Sequence, residues 1–143
     1  MAEAQTNDAL LPAAPFLTIP ADGKPYLAGV KCKTCGATYA AQKRIGCAKC
    51  GERKNLESVK LSDSGKLYNY TIVYRSFPGV KVPFVSAIVD LDGGGTIKGN
   101  LVDVDLSKPE NVKFDMPVKV VYRDAERKDA QGRSYLSYFF VPA

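Results

Sequence analysis

Four cysteines, Cys32, Cys35, Cys47 and Cys50, fall within 19 residues of a 143-residue chain, as two Cys-x-x-Cys pairs separated by 11 residues. Two thiols at this spacing grip one ion from a single tight turn, whose backbone N–H groups point at the sulfurs and hydrogen-bond them. A glycine follows each pair, Gly36 and Gly51, and permits the left-handed backbone that closes such a turn. Two turns together make a tetrahedral all-thiolate shell with metal–sulfur bonds of ~2.3 Å. Protein fills all four positions, so the spacing predicts a structural Zn2+ rather than a catalytic one. Iron is the competing ion, because rubredoxin-like sites use the same turns. The chain offers no second redox centre, which favours zinc. A pair of disulfides would need an oxidising compartment, and nothing else in the sequence suggests one.

Other chemistry is sparse. There is no histidine, and no cysteine is left once the metal takes four. The commonest general acid–base residue and the strongest free nucleophile are both missing. Serine, lysine and carboxylates are present without a motif to organise them, so no catalytic residue is expected. Charge is the remaining resource. Residues 26–60 carry eight Lys/Arg against two Glu, whereas residues 61–143 carry eleven against ten acids and residues 1–25 carry one against three. The excess therefore sits on the cysteine module and invites an anionic partner: nucleic acid, a phosphorylated cofactor or an acidic protein face. A solvated basic surface is the plain alternative.

These residues need elements to hold them. Composition, at 45% hydrophobic and 24% charged, is that of a soluble globular protein. No apolar run approaches the ~20 residues of a membrane span, and Met1–Gln5 lacks the basic start of a secretory signal, so a cytoplasmic protein is expected. Residues 1–25 hold Pro12, Pro15, Pro20 and Pro25, which break helix and sheet alike. They read as an extended arm, and Leu10, Leu11, Phe16, Leu17 and Ile19 favour its docking over a free tail. The ribbon proper, 26–62, has strands at Tyr26–Lys31, Thr38–Ala40 and Leu56–Leu61, and ends in a turn cluster, Ser62–Gly65.

From 65 to 143 the pattern is all-β. Tyr68, Tyr70, Ile72 and Tyr74 alternate with polar and small residues at period two. Phe84–Leu91 reads as a central strand, Asp92–Gly95 as a hairpin turn, and Thr96–Val102 as its return. Asp105–Val112 predicts one short helical turn around Pro109. Val118, Val120 and Tyr122 share a strand face, Ala125–Arg133 reads as a polar loop, and Ser134–Val141 is a last strand with a bulge near Ser137. About five strands in this length fit a five-stranded OB-fold barrel. The expected fold is mainly β: a rubredoxin-like zinc ribbon followed by that barrel. A small sandwich is the alternative.

That combination resembles the zinc-ribbon/OB-fold family of acyl-CoA-associated accessory proteins, the partners of thiolases and thiolase-like synthases. The resemblance covers roughly residues 26–142. It rests on Cys32-Lys33-Thr34-Cys35-Gly36, Arg44 before Cys47-Ala48-Lys49-Cys50-Gly51, and Gly65–Tyr74. It continues through Val82-Pro83-Phe84-Val85 with Ala87, Gly99-Asn100-Leu101-Val102, and Met116-Pro117-Val118. In size and in its lack of histidine the chain looks like the small subunit of benzoylsuccinyl-CoA thiolase, from anaerobic toluene degradation, or that of the diacetylphloroglucinol acetyltransferase. Many members carry a helical hairpin before the ribbon; here the proline-rich arm stands there instead, so partner contacts made by the hairpin do not transfer.

The resemblance implies a non-catalytic subunit that scaffolds a hetero-oligomer with a thiolase-like catalytic chain and contributes to its CoA-binding region. CoA carries a 3′-phosphate and a diphosphate, so Lys43 and Arg44 become the first candidates for CoA or partner contact, and Tyr74, Arg75 and Phe77 the second. The rival is a nucleic-acid module, since ribbons and OB barrels both occur in such proteins. A near-neutral barrel argues against a phosphate-tracking groove. A small iron electron carrier and a free-standing transferase or hydrolase complete the alternatives.

Overall fold

In a computed structural model, residues 10–143 are described. Ten strands follow one another: β1 (Leu11–Pro12), β2 (Leu17–Thr18), β3 (Tyr26–Cys32), β4 (Thr38–Ala40), β5 (Leu56–Lys60), β6 (Ser64–Val73), β7 (Phe84–Leu91), β8 (Thr96–Leu101), β9 (Pro117–Lys128) and β10 (Ser134–Pro142). A single 3₁₀ turn, Pro109–Asn111, lies between β8 and β9. Among the described residues no helix is long and apolar enough to cross a membrane.

The barrel closes through β10-β8-β7-β6-β9 and a final β9–β10 pairing, which leaves no open edge within that ring. β7 is central and apolar because both neighbours cover it: Val85, Ala87, Val89 and Leu91 alternate inward, facing Leu67, Ile97, Leu101, Val118 and Phe140. Val112, next to the 3₁₀ turn, is buried in the same cluster, and Tyr70 donates to its carbonyl at 3.1 Å. The expected helical turn and the β7–β8 hairpin are thus present.

Three readings of the barrel change. β6 carries an extra residue, Tyr68, between the Leu67–Val89 and Asn69–Ile88 pairs. The bulge flips the alternation, so Leu67 and Tyr70 both turn inward while Tyr68 faces solvent at 63% exposure. The row Tyr68, Tyr70, Tyr74 is therefore not one face. The second change concerns Ala125–Arg133. β9 runs on to Lys128, leaving only 129–133 as loop, and the bulge expected near Ser137 lies across the ladder in β9. Between the Lys128–Ser134 and Asp124–Leu136 pairs, Ala125, Glu126 and Arg127 face Tyr135 alone, with Glu126 left-handed at φ 54°. Third, Gly65 is not a turn residue. It lies within β6, where a Cβ would sit 2.3 Å from the Asp90 carbonyl oxygen, so glycine is there for space.

In the ribbon, β3 is flanked by antiparallel β4 and β5, and β2 pairs with its first residues. The arm from residue 10 onward docks on its own chain. β1 runs parallel to β10, and β2 lies on β3. Leu17 is buried, and the Phe16 and Tyr138 rings meet at 5.5 Å. Leu17, Leu27 and Leu61 belong to the same buried cluster as the barrel residues. The first nine residues of the arm lie outside the described region.

Candidate functional site

Cys32 ends β3 and Cys35 follows it, while Cys47 and Cys50 lie between β4 and β5, in two loops built alike. In the first, Gly36 N–H donates to the Cys32 carbonyl at 2.8 Å and Cys32 N–H donates to Ala37; in the second, Gly51 donates to Cys47 at 2.9 Å and Cys47 donates to Glu52. Gly36 and Gly51 have φ of 82° and 79° with nothing within 4 Å of a hypothetical Cβ. Here glycine serves backbone conformation, as the spacing predicted. Glu52 braces the second loop by accepting from the N–H groups of Lys54 and Asn55, which hold its carboxyl below the usual range.

The four sulfurs lie within 4.8 Å of one another. Cys32 and Cys50 are 3.6 Å apart and Cys35 and Cys47 are 3.5 Å apart, far beyond a disulfide bond. A tetrahedron with metal–sulfur bonds of ~2.3 Å has edges of ~3.8 Å, so the donors fit one ion of zinc or iron size. Cys32 and Cys47 are buried, Cys35 is half-buried and Cys50 is exposed. The Tyr39 hydroxyl lies 3.4 Å from Cys47. Its hydrogen bond, with those of the Cys50 and Lys49 N–H groups, lowers the Cys47 thiol to about 6. Cys50 also receives a backbone N–H, from Glu52, but the hydrogen bonds with its three neighbouring thiols, and the local loss of water among them although the residue is exposed, outweigh it and push it up to about 12. Four thiolates this close repel one another, so the cluster needs either protons or a cation.

The candidate contact residues lie in two places. Arg44 stacks over the Tyr39 ring at 3.8 Å and donates to the Gly46 carbonyl. It lines a cleft of about 490 Å³ between ribbon and barrel, with Tyr39, Lys98, Phe16 and Tyr138 among its walls and no carboxylate. Lys43 is exposed beside it. Tyr74, Arg75 and Phe77 belong instead to the β6–β7 loop. That loop is at the opposite end of the hairpin from Gly94, which packs on Thr38 of the ribbon. The eight residues of β7 separate the two ends by about 25 Å. Sequence reasoning missed Lys98, because only the fold brings β8 beside the ribbon. On the barrel, Arg123 forms a two-pronged pair with Asp103 at 2.9 and 2.6 Å, and Arg133 pairs with Asp129 at 2.6 Å. These cations are neutralised rather than aligned along a groove.

Residues 58–123 match the profile of the ChsH2 C-terminal OB-fold domain. A DUF35 domain-containing scaffold protein of Methanocaldococcus jannaschii is 37% identical over 119 residues, 81% of each chain. The benzoylsuccinyl-CoA thiolase subunit BbsA of Geobacter metallireducens is 38% identical over 77 residues, covering 53% of this chain and 51% of that protein. Among solved structures, the Ltp2-ChsH2(DUF35) aldolase superposes with a TM-score of 0.62 over 82% of this chain and 84% of its own, at 24% identity, a likeness of fold.

Proposed function

The chain belongs to the DUF35/ChsH2 OB-fold family, and from that premise we propose that it is a zinc-clamped, non-catalytic subunit of a thiolase-type acyl-CoA enzyme. The observation that carries this reading is the similarity to BbsA, a subunit of benzoylsuccinyl-CoA thiolase. The geometry agrees with it. Thiolase chemistry asks for a nucleophilic thiol and an acid–base partner. This chain has no histidine, and its four thiols face one another. The reacting groups therefore belong to another subunit.

Cys32, Cys35, Cys47 and Cys50 would hold the zinc, which supplies a structural cross-link and no reaction step. Around it the ribbon keeps its basic surface in shape. Lys43 and Arg44, with Lys98 across the cleft, would face the phosphates of a CoA held by the complex, as the absence of any carboxylate in that cleft favours. A compartment that keeps thiols reduced, such as the cytoplasm, suits the site.

The test is co-purification of the tagged chain from its native host, read by mass spectrometry and elemental analysis. A thiolase-like protein recovered with colourless, zinc-containing chain is the expected result. Recovery of nucleic acid alone overturns the function, and a red, iron-containing protein overturns the metal.

A further inference from the structure

Of the eight large apolar side chains exposed among the described residues, four stand singly and four crowd into nine residues of the β6–β7 loop. Phe77 is 84% exposed, Tyr74 59%, Val80 46% and Val82 43%. A patch of this kind on a small barrel marks an interaction surface. Its shape is fixed in advance. Pro78 and Gly79 occupy the centre of a turn closed by the Val80 N–H donating to the Phe77 carbonyl at 3.2 Å, with Gly79 at φ 88°, the geometry of a type II turn. Phe77 thus projects from a rigid tip, and little ordering is left to be done on binding. An aromatic side chain held this way is the form that interface anchors take.

Charge narrows the occupant. From Ser64 through Val89 the chain has no Asp or Glu, and Arg75 and Lys81 flank the tip. Among the described residues neither makes an ion pair. Next to the loop lies a groove of about 530 Å³ walled by Val80, Phe84, Val102 and Phe139, and lined as well by three cations, Lys81, Arg123 and Arg127, and two carboxylates, Asp124 and Glu126. A twofold pair of copies meeting tip to tip would set Arg75 and Lys81 against their own images. An acidic rim around an apolar pocket suits them better.

We propose that the Tyr74–Val82 loop is the docking surface for the partner subunit, with Phe77 inserted into an apolar pocket of that protein and Arg75 and Lys81 facing carboxylates at its rim. This rests on the accessory-subunit reading above and names its contact surface. It also separates the docking end of the molecule from the Arg44 cleft beside the ribbon.

The experiment uses full-length chain and, as probe, the thiolase-like protein recovered with it from the native host. Affinity is measured by calorimetry for wild type, Phe77→Asp, the double variant Arg75→Glu/Lys81→Glu, and Ile45→Asp as a control at another exposed apolar residue. Phe77→Asp is expected to weaken binding at least tenfold with unchanged metal content and thermal midpoint. The charge-reversed variant should weaken it and flatten or invert its salt dependence, and Ile45→Asp should bind as wild type does. Wild-type affinity in Phe77→Asp overturns the surface and leaves the accessory-subunit reading standing. A wild-type chain that binds no thiolase-like protein overturns both. A dimer of this chain that Phe77→Asp splits into monomers assigns the loop to a second copy and also overturns the proposal.

Discussion

The ribbon and the barrel are both β-sheet, yet they are held together by different means. The barrel closes its hydrogen-bond ladder on itself around Leu67, Val85, Ala87, Val89, Leu101, Val118 and Phe140, all buried. In the ribbon, two of the few buried side chains are cysteines, Cys32 and Cys47. At its base Leu27 and Leu61 join the barrel's cluster, while its tip has only the thiol cluster. The difference teaches that the ribbon is not one unit in energetic terms. Its base borrows the barrel's core, while its tip, too short to bury enough apolar surface alone, has the four-thiol cluster, which a bound metal would turn into a cross-link.

The largest expected effect follows directly. Metal binding to such a site is worth on the order of 10 kcal/mol. Chelation should therefore open residues 32–51 to proteolysis and hydrogen exchange, while β3's first residues and the barrel stay protected. Protection unchanged throughout, after verified metal loss, would break the comparison from one side. Loss of the whole barrel would break it from the other. Next comes Phe140→Ala, which removes a fully buried ring from the barrel and should cost about 3–5 kcal/mol in denaturant unfolding. Metal content per folded molecule should not change.

Glycines make the same contrast on a smaller scale. Gly65→Ala drives a Cβ into the Asp90 backbone and should cost about 1–3 kcal/mol of barrel stability. Gly36→Ala meets no atom within 4 Å and only forces a left-handed alanine. It should cost about 1–2 kcal/mol, read as faster metal loss to a chelator rather than as barrel unfolding. The smallest effect is electrostatic. The hydrogen bonds from Arg123, and then its charge, hold the Asp103 carboxyl below its ordinary range. A depressed folded pKa gives stability that is present above the unfolded value and fades as pH falls through the folded one. Both side chains are about half exposed, so Asp103→Asn should lower the thermal midpoint slightly at neutral pH and not at all in strong acid.

Some of this was legible from residue types alone. The cysteine spacing and its glycines specify both loops of the ribbon tip, since each loop is local and needs nothing from elsewhere in the chain. Phe84–Leu91 and Thr96–Val102 were readable because an apolar run, a glycine turn and a returning strand are also local. The misreadings share a different cause. Tyr68 and Glu126 each sit where extra residues slip into one strand of a ladder, and alternation within a single strand does not reveal what it pairs with. Gly65 looks like a turn residue until β7 is laid against it. Lys98 joins Arg44 in lining one cleft, and Leu61 joins the barrel core, only after the arm and ribbon fold back onto β8 and β10.

Of all the consequences, the division of labour is the most exposed to test. The measurement is thioester turnover by the thiolase-like protein alone, by this chain alone, and by the two together at matched concentration, with CoA release as the readout. The account predicts no turnover by this chain, and full activity only from the pair. Turnover by the purified chain, or full activity of the partner in its absence, would contradict it.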